Sequence, residues 1–232
     1  MSEVQARLST QAMEDYLKAI YSLQQDNEVV SNNSIAQAVG TSPAATTKMV
    51  KQLAENRLID HAPYQGVRLT PAGEKIALEI VRHHRLIELY LHEALGYDWD
   101  QVHAEAEKLE HHISEEFEAR IDKLLNFPLH DPHGDPIPMR DGTIAAPRGT
   151  ALDIANEGEL LVISRVRDSS SEALRFLHQL GMRLGTVVEV LEKQPFNGPI
   201  TLKIGDKTQT IGRELAGHVF VESCASLLAV PS

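Results

Sequence analysis

Between residues 83 and 112 the chain reads HHRLIELYLHEALGYDWDQVHAEAEKLEHH, with His83, His84, His92, His103, His111 and His112 interleaved among Glu88, Glu105, Glu107 and Glu110. On a helix, His103, Glu107, Glu110 and His111 follow an i, i+4, i+7, i+8 spacing that stacks their side chains on one face. His84 and Glu88 form a second i, i+4 pair across the break at Gly96, Tyr97 and Asp98. Imidazole nitrogen combined with carboxylate oxygen suits Mn2+, Fe2+, Zn2+ or Co2+, and two such helices packed side by side would close a pocket around one. A solvated acidic helix carries the same spacing, so the elements around the stretch decide between the readings.

Residues 10 to 26 place Met13, Leu17, Ile20 and Tyr21 near one stripe with Thr10 as N-cap, an amphipathic first helix. A short helix over Ser34 to Val39 stops at Gly40, and a third follows Ser42 as cap and Pro43 at its first turn. Two helices around a short Gly-containing turn, the second rich in small polar residues at its start, form the helix-turn-helix pattern. Ser42, Ala44, Ala45, Thr46, Thr47 and Lys48 then lie where a recognition helix enters the major groove, and Lys48 and Lys51 supply cations. After Asn56 two short strands around a turn read as a wing, with Arg68 available to backbone phosphate. Double-stranded DNA is therefore an expected partner.

Thr70 and Pro71 start a long helix expected to run to about Ala94, with Ile76, Ile80, Ile87 and Leu91 inward. A helix from Asp98 or Trp99 to Ile113 and another from Ser114 to Asn126 should follow, elements of the kind that pair two protomers over a palindrome. Residues 127 to 150 are rich in Pro and Gly and read as a linker, where Asp131 and His133 are turn formers or additional ligands. From Ala151 onward, short apolar alternations with Gly turns and one helix near Ser171 to Leu180 indicate a small barrel.

The 232 residues leave room for two or three small domains. The net charge of -11 is uneven: residues 1 to 75 carry 7 basic and 8 acidic side chains, residues 76 to 140 carry 6 and 14, and residues 141 to 232 carry 9 and 11. The middle third thus has anions for a cation to neutralise, while the N-terminal part stays nearly neutral and able to approach DNA. No membrane-length apolar run or signal sequence is visible, and a single cysteine, Cys224, builds no disulfide framework, so a cytoplasmic location is expected. Catalysis finds little support, since HExxH strings, Gly-rich phosphate loops and recognisable nucleophile settings are missing from the sequence. A winged-helix regulator answering to an organic effector is the other reading to weigh against a metal sensor.

The segments MEDYLKAIY (13 to 21), SPAATTKMV (42 to 50), LTPAG (69 to 73), HRLIE (84 to 88), VHAEAEKLEH (102 to 111) and HGDPIP (133 to 138), in this order, resemble the diphtheria toxin repressor family of metal-dependent transcriptional regulators. The tail looks like the SH3-like domain of ferrous-iron transport protein A. The resemblance implies a mainly α protein with a small β domain: a winged helix-turn-helix over 1 to 73, a helical dimerisation and metal-binding domain over 74 to 142, and an SH3-like barrel over 150 to 232. It further implies a homodimeric repressor that binds operator DNA when loaded with Mn2+ or Fe2+.

Carried over residue by residue, the resemblance assigns a primary site to Asp15, Glu107, Glu110 and His111 and an ancillary site to His84, Glu88 and His103. The iron-responsive branch usually has methionine and cysteine at the positions of Asp15 and Glu107. Hard carboxylates there favour Mn2+, as in the manganese branch. That branch typically has glutamate where this chain has Lys18, which argues against a binuclear site. Asp168 or Glu172, and Asp131 or His133, stand where relatives contribute further ancillary ligands.

Overall fold

A computed structural model describes residues 10–62, 66–167 and 170–224. Its elements run α1 (Gln11–Gln24), α2 (Asn32–Val39), α3 (Pro43–Glu55), β1 (Ile59–Ala62), β2 (Gly66–Leu69), α4 (Pro71–Leu95), α5 (Val102–Leu109), α6 (Glu115–Leu124), β3 (Thr150–Ala151), β4 (Leu160–Val166), α7 (Ser171–Gln179), β5 (Val187–Lys193), β6 (Ile200–Ile204), β7 (Lys207–Ile211), α8 (Arg213–Ala216) and β8 (Val219–Ser223). Among the described residues no helix is long and apolar enough to cross a membrane.

Local chemistry sets most helix starts. The hydroxyls of Thr10, Ser31, Ser42, Ser114 and Ser170 each accept a backbone N–H from the first turn of α1, α2, α3, α6 and α7, respectively. Because Ser31 is the cap, α2 begins two residues earlier than its apolar pattern alone indicates. Gly40 ends it in the left-handed region at φ 69°, where a side chain would be strained although nothing crowds the position. β1 and β2 pair antiparallel, Ile59 opposite Leu69, to make the wing.

The chain forms two compact units, one comprising 1–86, 107–126 and 138–144, the other 87–106, 127–137 and 145–232. In the first, Met13, Leu17, Ile20, Ile35, Val50, Leu53, Val67 and Ile76 build a core beneath the helix-turn-helix and wing. Gly73 is required there, since a Cβ would lie 1.9 Å from the Leu58 carbonyl oxygen. In the second, an antiparallel sheet of order β3-β8-β4-β5-β6-β7 closes over Leu152, Ile163, Leu177, Val190 and Leu202, with Trp99 in the same core.

One helix differs from expectation. A single helix over residues 98 to 113 is replaced by the shorter α5, with turns on either side. The chain must bend after Leu109 so that Ser114 can cap α6, and His112 N–H accordingly donates to Leu109 C=O rather than continuing an α-helical ladder. His103 and Glu107 remain helical, whereas Glu110 and His111 lie in the turn that follows.

Candidate metal centre

In the first unit the turn after α5 faces α1. His111, almost fully buried, directs Nε2 at Asp15 Oδ1, 2.8 Å away, and at Glu110 Oε1, 3.4 Å away. Its other nitrogen, Nδ1, lies 2.7 Å from Glu14 Oε2. A carboxylate holding one imidazole nitrogen fixes the ring and leaves the opposite nitrogen to face a ligand, the arrangement that orients metal-binding histidines. Burial lowers the His111 pKa, but hydrogen bonds to Asp15 and Glu14 and the charges of Glu110 and Asp15 outweigh it, raising it to about 9. His111 Nε2 is buried, with the carboxylates of Asp15 and Glu110 on either side of it. Ligand atoms of Asp15, Glu110 and His111 all lie within 4.8 Å of one another. Two hard oxygens and one imidazole nitrogen around an electron-rich point form a donor set that fits Mn2+ or Fe2+.

Glu107, expected in the same site, is placed otherwise. Its Oε1 accepts from Lys18 Nζ at 2.6 Å, and the same ammonium donates to Glu110 Oε1 and Oε2 at 2.9 and 2.8 Å and stands 3.1 Å from His84 Nδ1. His84 Nδ1 also meets Glu110 Oε2 closely. Lys18 therefore occupies the space among residues that the sequence distributes between two metal sites. Of the expected ancillary ligands, His84 belongs to the first unit, and Glu88 and His103 to the second, where His103 Nδ1 is 3.3 Å from the buried Glu88 Oε1.

Asp131 is buried, and its Oδ1 accepts the backbone N–H groups of His133 and Asp135 at 2.8 and 2.9 Å, the turn-forming role open to an Asp before Pro. The His133 ring is wholly buried and 5.5 Å from the Trp99 ring. Glu172 stands in the first turn of α7. Asp168 lies outside the described residues.

On α3, Ala44, Ala45, Thr47, Lys48 and Lys51 are exposed and Ser42 caps the helix. Thr46 is not on that outer face: it is fully buried, 3.0 Å from Thr41 Oγ1 and 3.3 Å from the Tyr16 hydroxyl. At i+3 from Pro43 its side chain turns toward α1, so it supports the helix from within. Arg68 on the wing is half-exposed and paired with Glu28.

Sequence reasoning missed Glu14, and took Lys18 only as an argument against a binuclear site rather than as the partner of Glu107 and Glu110. Both belong to α1, one turn apart and flanking Asp15, and both find their partners 89 to 97 residues further along. Only the burial of a carboxylate at position 14 marks it, and burial within a helix of mixed polarity is not legible beforehand.

Three family models match consecutive parts of the chain: the N-terminal DNA-binding domain of iron-dependent repressors over residues 9–67, their metal-binding and dimerisation domain over 70–139, and the FeoA domain over 150–223. The chain is 28% identical over 219 residues to the diphtheria toxin repressor of Corynebacterium diphtheriae, covering 90% of this chain and 96% of that protein. It is 34% identical over 120 residues to the HTH-type transcriptional regulator MntR of Bacillus pumilus, covering 52% of this chain and 83% of MntR. A solved manganese-dependent transcriptional repressor in complex with manganese superposes with a TM-score of 0.85 at 38% identity, covering 91% of this chain and 99% of that one. ScaR with bound Cd2+ gives 0.80 at 33% identity over 91% and 99%. With its DNA-binding, dimerisation and FeoA segments in that order and similarity along nearly its whole length, the chain belongs to the iron-dependent, diphtheria-toxin-repressor-like family of metal-dependent transcriptional repressors.

Proposed function

We propose that this chain is a Mn2+-activated repressor of metal-ion homeostasis that grips a palindromic operator as a homodimer, with Fe2+ as the second metal it can answer to. The observation that carries the reading is the cluster of Asp15, Glu110 and His111, which joins the helix preceding the helix-turn-helix to the turn after α5. Asp15, Glu110 and His111 would hold the ion, with Glu14 orienting His111. A divalent ion would add positive charge to that of the Lys18 ammonium, which already reaches Glu110.

The chain's own residues carry the consequence to the reading head. Next to Asp15, the Tyr16 hydroxyl lies 2.8 Å from Thr41 Oγ1 in the turn before α3 and 3.3 Å from Thr46 Oγ1 within it. A constraint on α1 is therefore a constraint on α3. Fixing α3 in each protomer reduces the ordering that DNA binding must impose, a coupling of roughly 1–3 kcal/mol in switches of this kind. The exposed Ala44, Ala45, Thr47 and Lys48 would meet base edges, while Ser42, Lys51 and Arg68 would meet phosphates. The test is operator binding in EDTA with Mn2+, Fe2+ or Zn2+ restored at defined free concentration. Affinity should rise with Mn2+, and equal affinity in chelator would refute the reading.

A further inference from the structure

The wing is stitched to the loop between α1 and α2 by its backbone. Val30 N–H donates to the Val67 carbonyl at 2.9 Å and Val67 N–H returns a bond to the Val30 carbonyl at 2.8 Å, an antiparallel bridge on the outer side of β2. Gly66 permits the approach, because a Cβ there would stand 2.4 Å from Val29 Cγ1 and 2.9 Å from the Val30 carbonyl oxygen. Gln24, the last residue of α1, adds a clamp: its Oε1 accepts Leu69 N–H and its Nε2 donates to the Glu28 carbonyl, both at 3.1 Å. Glu28 and Arg68 stand beside these fixed points, and their side chains pair. The backbone of two segments therefore sets the pair, rather than a chance meeting of two long side chains.

Arg68 is the wing residue assigned above to a DNA phosphate, and its guanidinium already holds an anion. Both partners are open to water, the Arg68 side chain at 46% and that of Glu28 at 81%, and an ion pair so exposed is weak enough for a phosphate to displace the carboxylate. Among the described residues lining the cleft between α1, the loop after it, β2 and the start of α4, Arg68 is the one cation, set against Glu28 and Glu74. Whatever anion Arg68 holds, it holds at the expense of the other.

We propose that Glu28 stands in for phosphate: it holds the Arg68 guanidinium in the free protein, and Arg68 exchanges this carboxylate for a backbone phosphate when the wing meets DNA. The inference rests on the reading of this chain as a DNA-binding repressor with Arg68 at the DNA backbone. Glu28 is then a positioning residue that acts on DNA affinity through Arg68. Its restraint falls on every duplex alike, because phosphate contacts carry no sequence information.

The test follows the Mn2+-loaded, full-length protein by fluorescence anisotropy on a labelled duplex that the parent has selected from a randomised library, in KCl from about 50 to 200 mM. Glu28→Gln and Glu28→Ala should each bind about two- to fivefold more tightly at the lowest salt, with a steeper salt dependence, because no neighbouring carboxylate offsets the cation. Arg68→Gln should bind more weakly, with the slope of log K against log[KCl] reduced by about 1. In the Arg68→Gln background, Glu28→Gln should change nothing. Thermal melting establishes that each variant is folded. Unchanged affinity in both folded Glu28 variants, a gain from Glu28→Gln that survives without Arg68, or parent-like binding by Arg68→Gln overturns the inference, while Mn2+-stimulated binding by the parent leaves the repressor reading intact. Failure of the parent to enrich any duplex overturns both.

Discussion

Two charged clusters lie within the first unit, and they are built on opposite principles. Arg82 is buried with each guanidinium nitrogen engaged: Nε donates to Glu118 at 2.6 Å, Nη2 to Asp122 at 2.8 Å and Nη1 to the Pro138 carbonyl at 2.8 Å. Arg140 adds a second cation 3.7 Å from Glu118. Each anion there has a cation supplied by the chain. Around His111, in contrast, Glu14, Asp15, Glu107 and Glu110 converge with Lys18 as the single permanently charged cation among them. A matched buried cluster holds a fold together, whereas one with surplus anions holds a place for something to bind. His83 touches both, with Nδ1 3.1 Å from the Glu110 carbonyl and Nε2 3.7 Å from Glu118 Oε2.

The widest separation between the clusters should come from removing their cations or their anions in turn. Arg82→Leu strands two buried carboxylates and should cost about 3–5 kcal/mol in urea unfolding. Asp15→Ala removes an anion from a surplus, so the fold and the dimer should persist while the Mn2+-dependent gain in operator affinity, on the order of 5–150-fold, disappears. A loss of stability from Asp15→Ala matching that from Arg82→Leu would erase the distinction.

Acid separates the clusters next. Burial pushes the Glu118 carboxyl up, but the His83 ring 3.7 Å away and the hydrogen bond from Arg82, reinforced by their charges, hold it at about 2 against an ordinary 4.5. A lowered pKa stabilises the fold in full above pH 4.5, and the contribution is lost as the pH falls toward about 2. Its size is about 3 kcal/mol. Urea midpoints measured from pH 6 down to pH 3 should fall in the parent and fall less steeply in Glu118→Gln. Parallel pH profiles for the two would show that Glu118 does not carry the effect.

A smaller effect concerns Glu14, whose Oε2 lies 2.7 Å from His111 Nδ1. Glu14→Gln should weaken Mn2+ binding by about 10–100-fold. Isothermal titration at fixed pH measures it, and an unchanged affinity would reduce Glu14 to a packing residue.

What the sequence made legible follows the range of the interactions. Thr10, Ser42, Pro43 and Gly40 act within one helical turn, and their spacing located α1, α3 and the end of α2. Resemblance linked Asp15, Glu107, Glu110 and His111 across distances that spacing does not span, and the structure brings Asp15, Glu110 and His111 together. The contact of Glu107 with Lys18 was not legible, because the two are 89 residues apart and no local pattern reports whether an ammonium or a metal fills the space between two carboxylates. Thr46 was read as outward because small polar residues at a helix start resemble one another in sequence. Its inward direction depends on Tyr16, thirty residues earlier in the chain.

That contact yields the mildest prediction, which bears on how the centre and the reading head communicate. Tyr16, Thr41 and Thr46 form a closed triangle of hydroxyls, 2.8, 3.0 and 3.3 Å on its sides, between α1 and α3. Tyr16→Phe keeps the ring in the core and removes one vertex, which should cost about 1 kcal/mol of stability. If the triangle transmits the state of Asp15, the variant should bind Mn2+ as tightly as the parent yet show a smaller Mn2+-induced gain in operator affinity. Metal affinity and DNA affinity, measured on the same preparation, would then come apart, which a purely structural tyrosine would not produce.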